Sequence, residues 1–187
     1  DEIRETLAVA TGDAPPARLR VQRRGEAENA QWSVAARALP LEPLGAVAML
    51  GEPVPPALRR WLYLAHPRGR LDALTLHWNG ANDYELQASL REGELASADF
   101  VPGVERLDLD VLGDAQSLLL QLPVQATRVT LPALFRRPFL FSQLGGDVVL
   151  RRADAGTWRI ETDRIVFEGE GYGGELRGAA ERAAGRR

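Results

Sequence analysis

The sequence predicts a mainly β protein, an antiparallel meander of short strands with one apolar face and one or two short amphipathic helices. Two observations carry this prediction. Apolar and polar residues alternate with a period of two along much of the chain, which places them on opposite faces of a strand. Turn signals separate these runs at a spacing of roughly ten residues, too short for the crossover helices of a parallel sheet.

The alternation is clearest in residues 83–91, where Tyr84, Leu86 and Leu90 alternate with polar side chains. The same rhythm begins near residue 32 and recurs as far as residue 167. Its apolar members are predicted to share one face of the sheet: Trp32, Val34, Leu74, Leu76, Trp78, Tyr84, Leu86, Leu90, Leu107, Leu109, Val111, Leu118, Leu120, Val129, Leu131, Val148, Leu150, Trp158, Ile160, Ile165 and Phe167.

Glycine, proline, asparagine and aspartate punctuate these runs and predict the turns between strands. The predicted breaks are Asn79-Gly80, Gly93, Pro102-Gly103, Gly113-Asp114, Pro123, Pro132, Gly145-Gly146 and Asp154-Ala155-Gly156.

A helical insert is predicted at about residues 41–66. Pro55 and Pro56 suit a helix start, and Leu58, Trp61 and Ala65 fall on one stripe. A shorter helix precedes it within residues 41–50. Because neither piece is long enough to be stable alone, both are expected to dock on the sheet. The tail from residue 174 is ambiguous between strand and helix.

Composition excludes several classes of function. The chain has 187 residues, 23 basic and 26 acidic, with a net charge of −3 and no basic cluster, so nucleic-acid binding is not expected. Lysine is absent, which excludes Schiff-base chemistry and a P-loop. Cysteine is absent too, which excludes disulfides, thiol catalysis and zinc ribbons.

No constellation of residues predicts catalysis, a metal or a cofactor. The two histidines, His66 and His77, lack a nucleophile elbow or ligand spacing, and His77 falls on the polar side of its strand. Asp108 and Asp110 share a face and are expected to be solvated. The glycine-rich run 169–174 lacks a lysine and is interpreted as a flexible strand connection. The protein is therefore predicted not to be an enzyme.

The apolar face itself remains as the working surface. About ten strands at 4.8 Å spacing would make a sheet roughly 50 Å wide, which curls or splits. Folded into a sandwich, it would bury its apolar face; curled without closing, it would leave an apolar trough. Periodicity does not separate these two outcomes.

The order of several segments resembles the large AsmA-like envelope proteins of the YhdP type. The resemblance spans about residues 30 to 178, and its segments are Pro56–Leu71, Leu74–Trp78, Val101–Val104, Leu131–Pro138, Leu144–Leu150 and Gly156–Ile160. Each segment is degenerate alone, whereas their joint order and spacing are fairly specific.

The resemblance implies a taco-like open groove for bridge-like phospholipid transport in the cell envelope. Such proteins are anchored in the inner membrane and cross the periplasm towards the outer membrane. It implies that residues 1–187 are a single internal segment of a longer β-groove protein, with its anchor elsewhere. Expected partners are phospholipid acyl chains, neighbouring β segments of the same parent chain and envelope proteins at either membrane.

Three alternatives stay open at this point. A closed β-sandwich could bind carbohydrate or protein, which exposed and coplanar tryptophans would favour. A structural spacer would have its apolar face covered by the helices. A hydrolase would need His66 or His77 buried beside a carboxylate.

Overall fold

The computed structural model describes residues 2–9, 16–25, 30–43, 63–79, 83–97, 102–132, 135–154 and 157–183. They form ten strands: β1 Glu2–Val9, β2 Ala17–Arg24, β3 Gln31–Pro40, β4 Arg68–Trp78, β5 Tyr84–Leu95, β6 Gly103–Asp114, β7 Ser117–Thr130, β8 Phe139–Asp154, β9 Thr157–Gly169 and β10 Tyr172–Ala183.

The strands make one antiparallel sheet whose spatial order is the chain order, β1 through β10. Each strand pairs only with its neighbours in sequence, and this holds for β3 and β4 although residues 41–67 separate them. The predicted antiparallel meander is confirmed, and the sheet is open rather than closed. A sandwich needs two facing sheets, so that alternative does not describe these residues.

The strands are longer than predicted because three of the predicted turns lie inside strands. Gly93 lies in β5, Pro123 in β7 and Gly145-Gly146 in β8. Pro123 is tolerated in a central strand because the register of β7 against β8 shifts between Leu122 and Gln125, where no regular ladder bond is lost. A Cβ atom at Gly145 would come within 2.7 Å of the Cα of Val124, so this close approach requires glycine.

Backbone irregularities follow one another across β3 to β8, near the strand ends in β3 and β4 and centrally in β7 and β8, and form what we call the bulge line. Positive φ angles occur at Ala38 in β3, Gly69 in β4, Glu92 in β5 and Arg106 in β6. The register shifts of β7 and β8 continue the line. Bulges bend the strands that carry them, so the bulge line is where this sheet departs from a flat layer.

Little of the sheet is buried. The buried apolar residues among the described ones are Ala17, Ala36, Leu39, Ala65 and Ala115, most of them small. The chain has an accessible surface of 13270 Å², whereas a compact monomer of its 20.5 kDa mass exposes about 8,900 Å². The small buried core and the large accessible surface fit a single layer, with no second sheet packed on it among the residues that the structure describes.

The two ends of the predicted helical insert are helical, at residues 42–43 and 63–65, and residues 44–62 lie outside the described part. The insert is attached where it leaves and re-enters the sheet: Leu41 N donates to Gly69 O (2.9 Å), and Ala96 N donates to Ala65 O (2.7 Å). No helix within the described ranges is long and apolar enough to cross a membrane. The ambiguous tail is strand as far as Ala183.

Candidate functional site

One continuous face of the sheet is lined by apolar side chains, and the strand register defines it. Directly opposed residues share a face, and Val34, Leu76, Leu86 and Gly113 follow one another across β3 to β6. Beyond them come Leu118, Leu150, Ile160 and Ala180 in β7 to β10. We call this surface the apolar face and the opposite surface the polar face.

The residues predicted from sequence to share a face lie on the apolar face, with one exception. Leu131 follows the last residue of β7 and lies in the turn, where its carbonyl accepts a hydrogen bond from Phe135 N (2.8 Å). The others are half-exposed for the most part; Trp78 is 44% and Ile160 40% exposed. Contact of these residues with lipid stays a prediction.

A bulge in β9 keeps the apolar face continuous. Ile160 and Ile165 are five positions apart, an odd number that would put them on opposite faces of a regular strand. Between Glu161 and Arg164 the strand contains one residue more than β8 offers opposite it, and β10 shows the same mismatch. The extra residue restores the phase, so both isoleucines lie on the apolar face.

The polar face carries the charged side chains and most of the ion pairs. Asp110 lies there, with its Oδ1 atom 2.9 Å from Arg91 Nη2. The pKa of this carboxyl is lowered, first by a hydrogen bond from Ser89 and then by Arg91. Neighbouring Asp108 accepts a hydrogen bond from Glu92 N (2.8 Å). Both carboxylates are thus engaged by groups of the neighbouring strand β5.

The polar face also has an apolar island that the alternation does not predict. Leu112, Leu119 and Val149 oppose one another across β6, β7 and β8, and Leu112 is 52% exposed. Because Leu118, Leu119 and Leu120 are consecutive, composition alone does not tell which of them lie on which face. The register assigns Leu118 and Leu120 to the apolar face and Leu119 to the polar face.

Aromatic residues occupy both ends of the apolar face. At one end, which we call the tryptophan end, Trp32 opposes Trp78, which opposes Tyr84. Trp158 lies at the same end in β9. At the other end five rings cluster with neighbouring centroids 4.7 to 6.3 Å apart: Phe135, Phe139, Phe141, Phe167 and Tyr172. The hollow beside this cluster measures about 580 Å³ and is also lined by Arg136 and Arg137.

Sequence reasoning missed part of this surface. Leu19 and Val21 extend the apolar face into β2, where they oppose Ala36 and Val34. Their alternation with Arg18, Arg20 and Gln22 was a usable signal. It is interrupted by Arg23, which falls in the apolar phase and lies on the apolar face opposite Trp32.

The catalytic candidates remain apart. His77 lies on the polar face opposite Glu85, and His66 follows the insert with its ring centroid 5.8 Å from that of Tyr63. Both histidines are exposed. No group of three or more metal-binding side chains occurs among the residues that the structure describes. The run 169–174 is a tight hairpin, with Glu170 and Gly171 between the paired Gly169 and Tyr172.

Comparison with known proteins identifies the family. A family model described as YhdP protein matches residues 3–180. The chain belongs to the YhdP family. No curated protein and no solved structure matches the chain. The match covers all ten strands apart from the first and last residues of the sheet, so the YhdP-family signature and the open sheet describe the same part of the sequence.

Proposed function

We propose that this YhdP-family chain is a periplasmic segment of a lipid conduit between the inner and outer membranes, belonging to a protein anchored in the inner membrane. Its apolar face shields the acyl chains of phospholipids, and it performs no chemical reaction. The observation that carries the proposal is a single-layer open sheet with one continuous apolar face. Monomeric soluble proteins rarely expose such a patch unless it binds something.

The energetics favour a lipid as the occupant. Each methylene group exposed to water costs about 0.8 kcal/mol, so a two-chain phospholipid leaving a bilayer loses on the order of 20 kcal/mol. A face of half-exposed Leu, Val and Ile side chains recovers most of that free energy by contact alone. Ten strands at about 4.8 Å spacing make this face roughly 43 Å wide across the strands, which is longer than an extended acyl chain.

The bend at the bulge line supports a groove rather than a flat sheet. Bulged strands bend along their length. A sheet whose neighbouring strands bend at matching positions forms a trough that runs perpendicular to the strands, from β1 towards β10. The strand ends then form the two rims of the trough. Acyl chains would lie on the apolar face, and polar headgroups would project past a rim into water.

Site-specific photo-crosslinking tests this proposal. A photoreactive residue is introduced at Leu86 or at Gln87 of the full-length protein in cells whose phospholipids carry radioactive phosphate. The two positions are adjacent in β5 and lie on opposite faces. We expect lipid adducts at Leu86 and none at Gln87.

Loss of the adduct at Leu86, with the protein folded and expressed, would contradict the proposal. The apolar face would then be covered by protein, and the chain would be a spacer without lipid passage. Adducts of equal yield at both positions would also contradict the proposal, because they would show that lipid contacts both faces of the sheet equally.

A further inference from the structure

We propose that the tryptophan end of the apolar face is a binding site for the phosphate group of a phospholipid, with Arg23 as its principal ligand. This inference rests on the proposed function, since it places the headgroup of a lipid whose acyl chains lie on the same face. It gives Arg23 a role in binding the headgroup, whereas shielding of acyl chains alone does not require a charged residue on this face.

The tryptophan end of the apolar face carries charged residues among its apolar ones. Between the bulge line and the tryptophan end, the described side chains of the apolar face include two charged residues, Arg23 and Arg152. Each opposes a tryptophan on the next strand, Arg23 opposite Trp32 and Arg152 opposite Trp158. Arg23 is half-buried, and a half-buried charge on an apolar face costs free energy unless it has a partner of opposite charge.

Arg23 has hydrogen-bonding capacity to spare. Its guanidinium lies over the Trp32 ring, 5.7 Å from the ring centroid, and this cation–π contact fixes its position. Its Nε atom is buried and has no hydrogen-bond acceptor within the part of the chain that the structure describes. A buried donor without an acceptor is unfavourable in the free protein and becomes satisfied when an anion binds.

Phosphate is the anion that this arrangement suits. A guanidinium presents parallel N–H donors that match two phosphate oxygens, and a half-buried setting strengthens the pair. The acidic residues Glu85 and Asp114, which the structure describes at this end, lie on the face opposite to Arg23. Asp114, at the same end, accepts hydrogen bonds from Gln116 N (2.7 Å) and Ser117 N (2.8 Å), which lower the pKa of its carboxyl. Glu85 and Asp114 oppose each other on the polar face.

The aromatic side chains fit the boundary between acyl chain and headgroup. Trp32, Trp78 and Tyr84 form a row across three adjacent strands, between Arg23 and the middle of the sheet. Tryptophan and tyrosine favour positions where apolar and hydrated surroundings meet, as they do at membrane interfaces. A lipid whose tails contact Leu76 and Leu86 would therefore place its phosphate at the strand ends beside Arg23.

Photoactivatable lipids test the site in the purified full-length protein. One probe is phosphatidylglycerol with a diazirine in an acyl chain, and the other is diacylglycerol with the same chains and no phosphate. The variant is Arg23→Gln. The matched control is Arg20→Gln, on the polar face of the same strand, where Arg20 opposes Ala35.

We expect the wild type and Arg20→Gln to be labelled more strongly by phosphatidylglycerol than by diacylglycerol, by roughly tenfold, the factor typical of one charge-assisted hydrogen-bonded pair. Arg23→Gln should lose most of this preference and keep its labelling by diacylglycerol. Arg23→Lys should retain part of the preference, because the charge remains and the two-pronged geometry is lost. Unchanged circular dichroism spectra would establish that the variants are folded.

The outcomes separate this inference from the proposed function. Equal labelling of the wild type by both lipids, or an unchanged preference in Arg23→Gln, would overturn the phosphate site and leave the conduit intact. Absence of labelling by either lipid would remove both. Binding of inorganic phosphate to the wild type is measured as a third test. If inorganic phosphate binds as tightly as phosphatidylglycerol, the site serves free phosphate and the lipid assignment is wrong.

Discussion

Thr127 is the most deeply buried polar residue of the described chain, with a side chain 2% exposed. It lies in β7 where the regular ladder to β6 is interrupted, between the pairs Glu105–Arg128 and Asp110–Gln121. Its hydroxyl donates to the Glu105 carbonyl at 2.7 Å. Gln125 acts nearby in the same way, accepting from Asp108 N and donating to Asp108 O. Side chains thus replace the backbone hydrogen bonds that the bulge line removes.

Replacing Thr127 by Val should destabilise the sheet by about 1–2 kcal/mol, because the Glu105 carbonyl loses its donor in a buried place. Thr162→Val is the matched control. Thr162 donates to Asp147 O over the same 2.7 Å, but in an exposed setting where water can replace the hydroxyl. The measurement is the midpoint of urea unfolding of each variant. A loss for Thr162→Val as large as for Thr127→Val would mean that burial does not set the cost.

At the scale of the strand, the sequence pattern predicts which face of the sheet a residue lies on, but it does not predict where bulges interrupt a strand. Alternation alone predicts the apolar positions of β3 to β9, because a half-exposed antiparallel sheet imposes a period of two. Glycine and proline carry two meanings, a turn or a bulge, and the local sequence does not distinguish them. The sequence therefore predicts turns at Gly93, Pro123 and Gly145, and these predictions are wrong because the three residues lie within strands.

The candidate site is likewise predictable in part from the sequence: its apolar positions are, and the pairing of its residues across strands is not. The apolar phase follows from the sequence, since it depends only on local alternation. The row formed by Arg23, Trp32, Trp78 and Tyr84 depends on which residues oppose one another across four strands, and this follows from turn lengths and bulges. The alternation does not predict β2 because Arg23 interrupts it, nor β1 because Glu5 interrupts the apolar phase of Ile3 and Leu7.

The β9 bulge makes a deletion experiment informative. Removing Asp163 would leave β9 with as many residues as β8 and β10 offer opposite it, and Ile160 and Ile165 would still share a face. Removing Gln87 from the regular part of β5 would instead turn Leu86 and the residues before it, or Ala88 and those after it, to the polar face.

We therefore expect deletion of Asp163 to preserve a cooperative unfolding transition and deletion of Gln87 to abolish it or to lower its midpoint far more. Urea unfolding followed by circular dichroism measures both. Equal damage by the two deletions would contradict the assignment of the bulge.

At the scale of the whole molecule, the described strands form a layer with two different faces, and the proposed function depends on one of these faces being open. Its accessible surface is about one and a half times that of a compact protein of the same mass. Such a sheet gains little stability from a packed core, so pairing across ten strands and contacts between side chains of neighbouring strands must contribute much of it. Bound lipid would stabilise it further by mass action.

The consecutive leucines of β7 allow the most direct test of the central claim, that lipid contacts one face of this open sheet. A photoreactive residue is placed at Leu119 or at Leu120 of the full-length protein in cells, so that residue type, strand and depth are matched and only the face differs. We expect phospholipid adducts at Leu120 and none at Leu119. Adducts at Leu119 alone, or at neither position in a folded protein, would contradict the assignment of the apolar face as the path of the lipid.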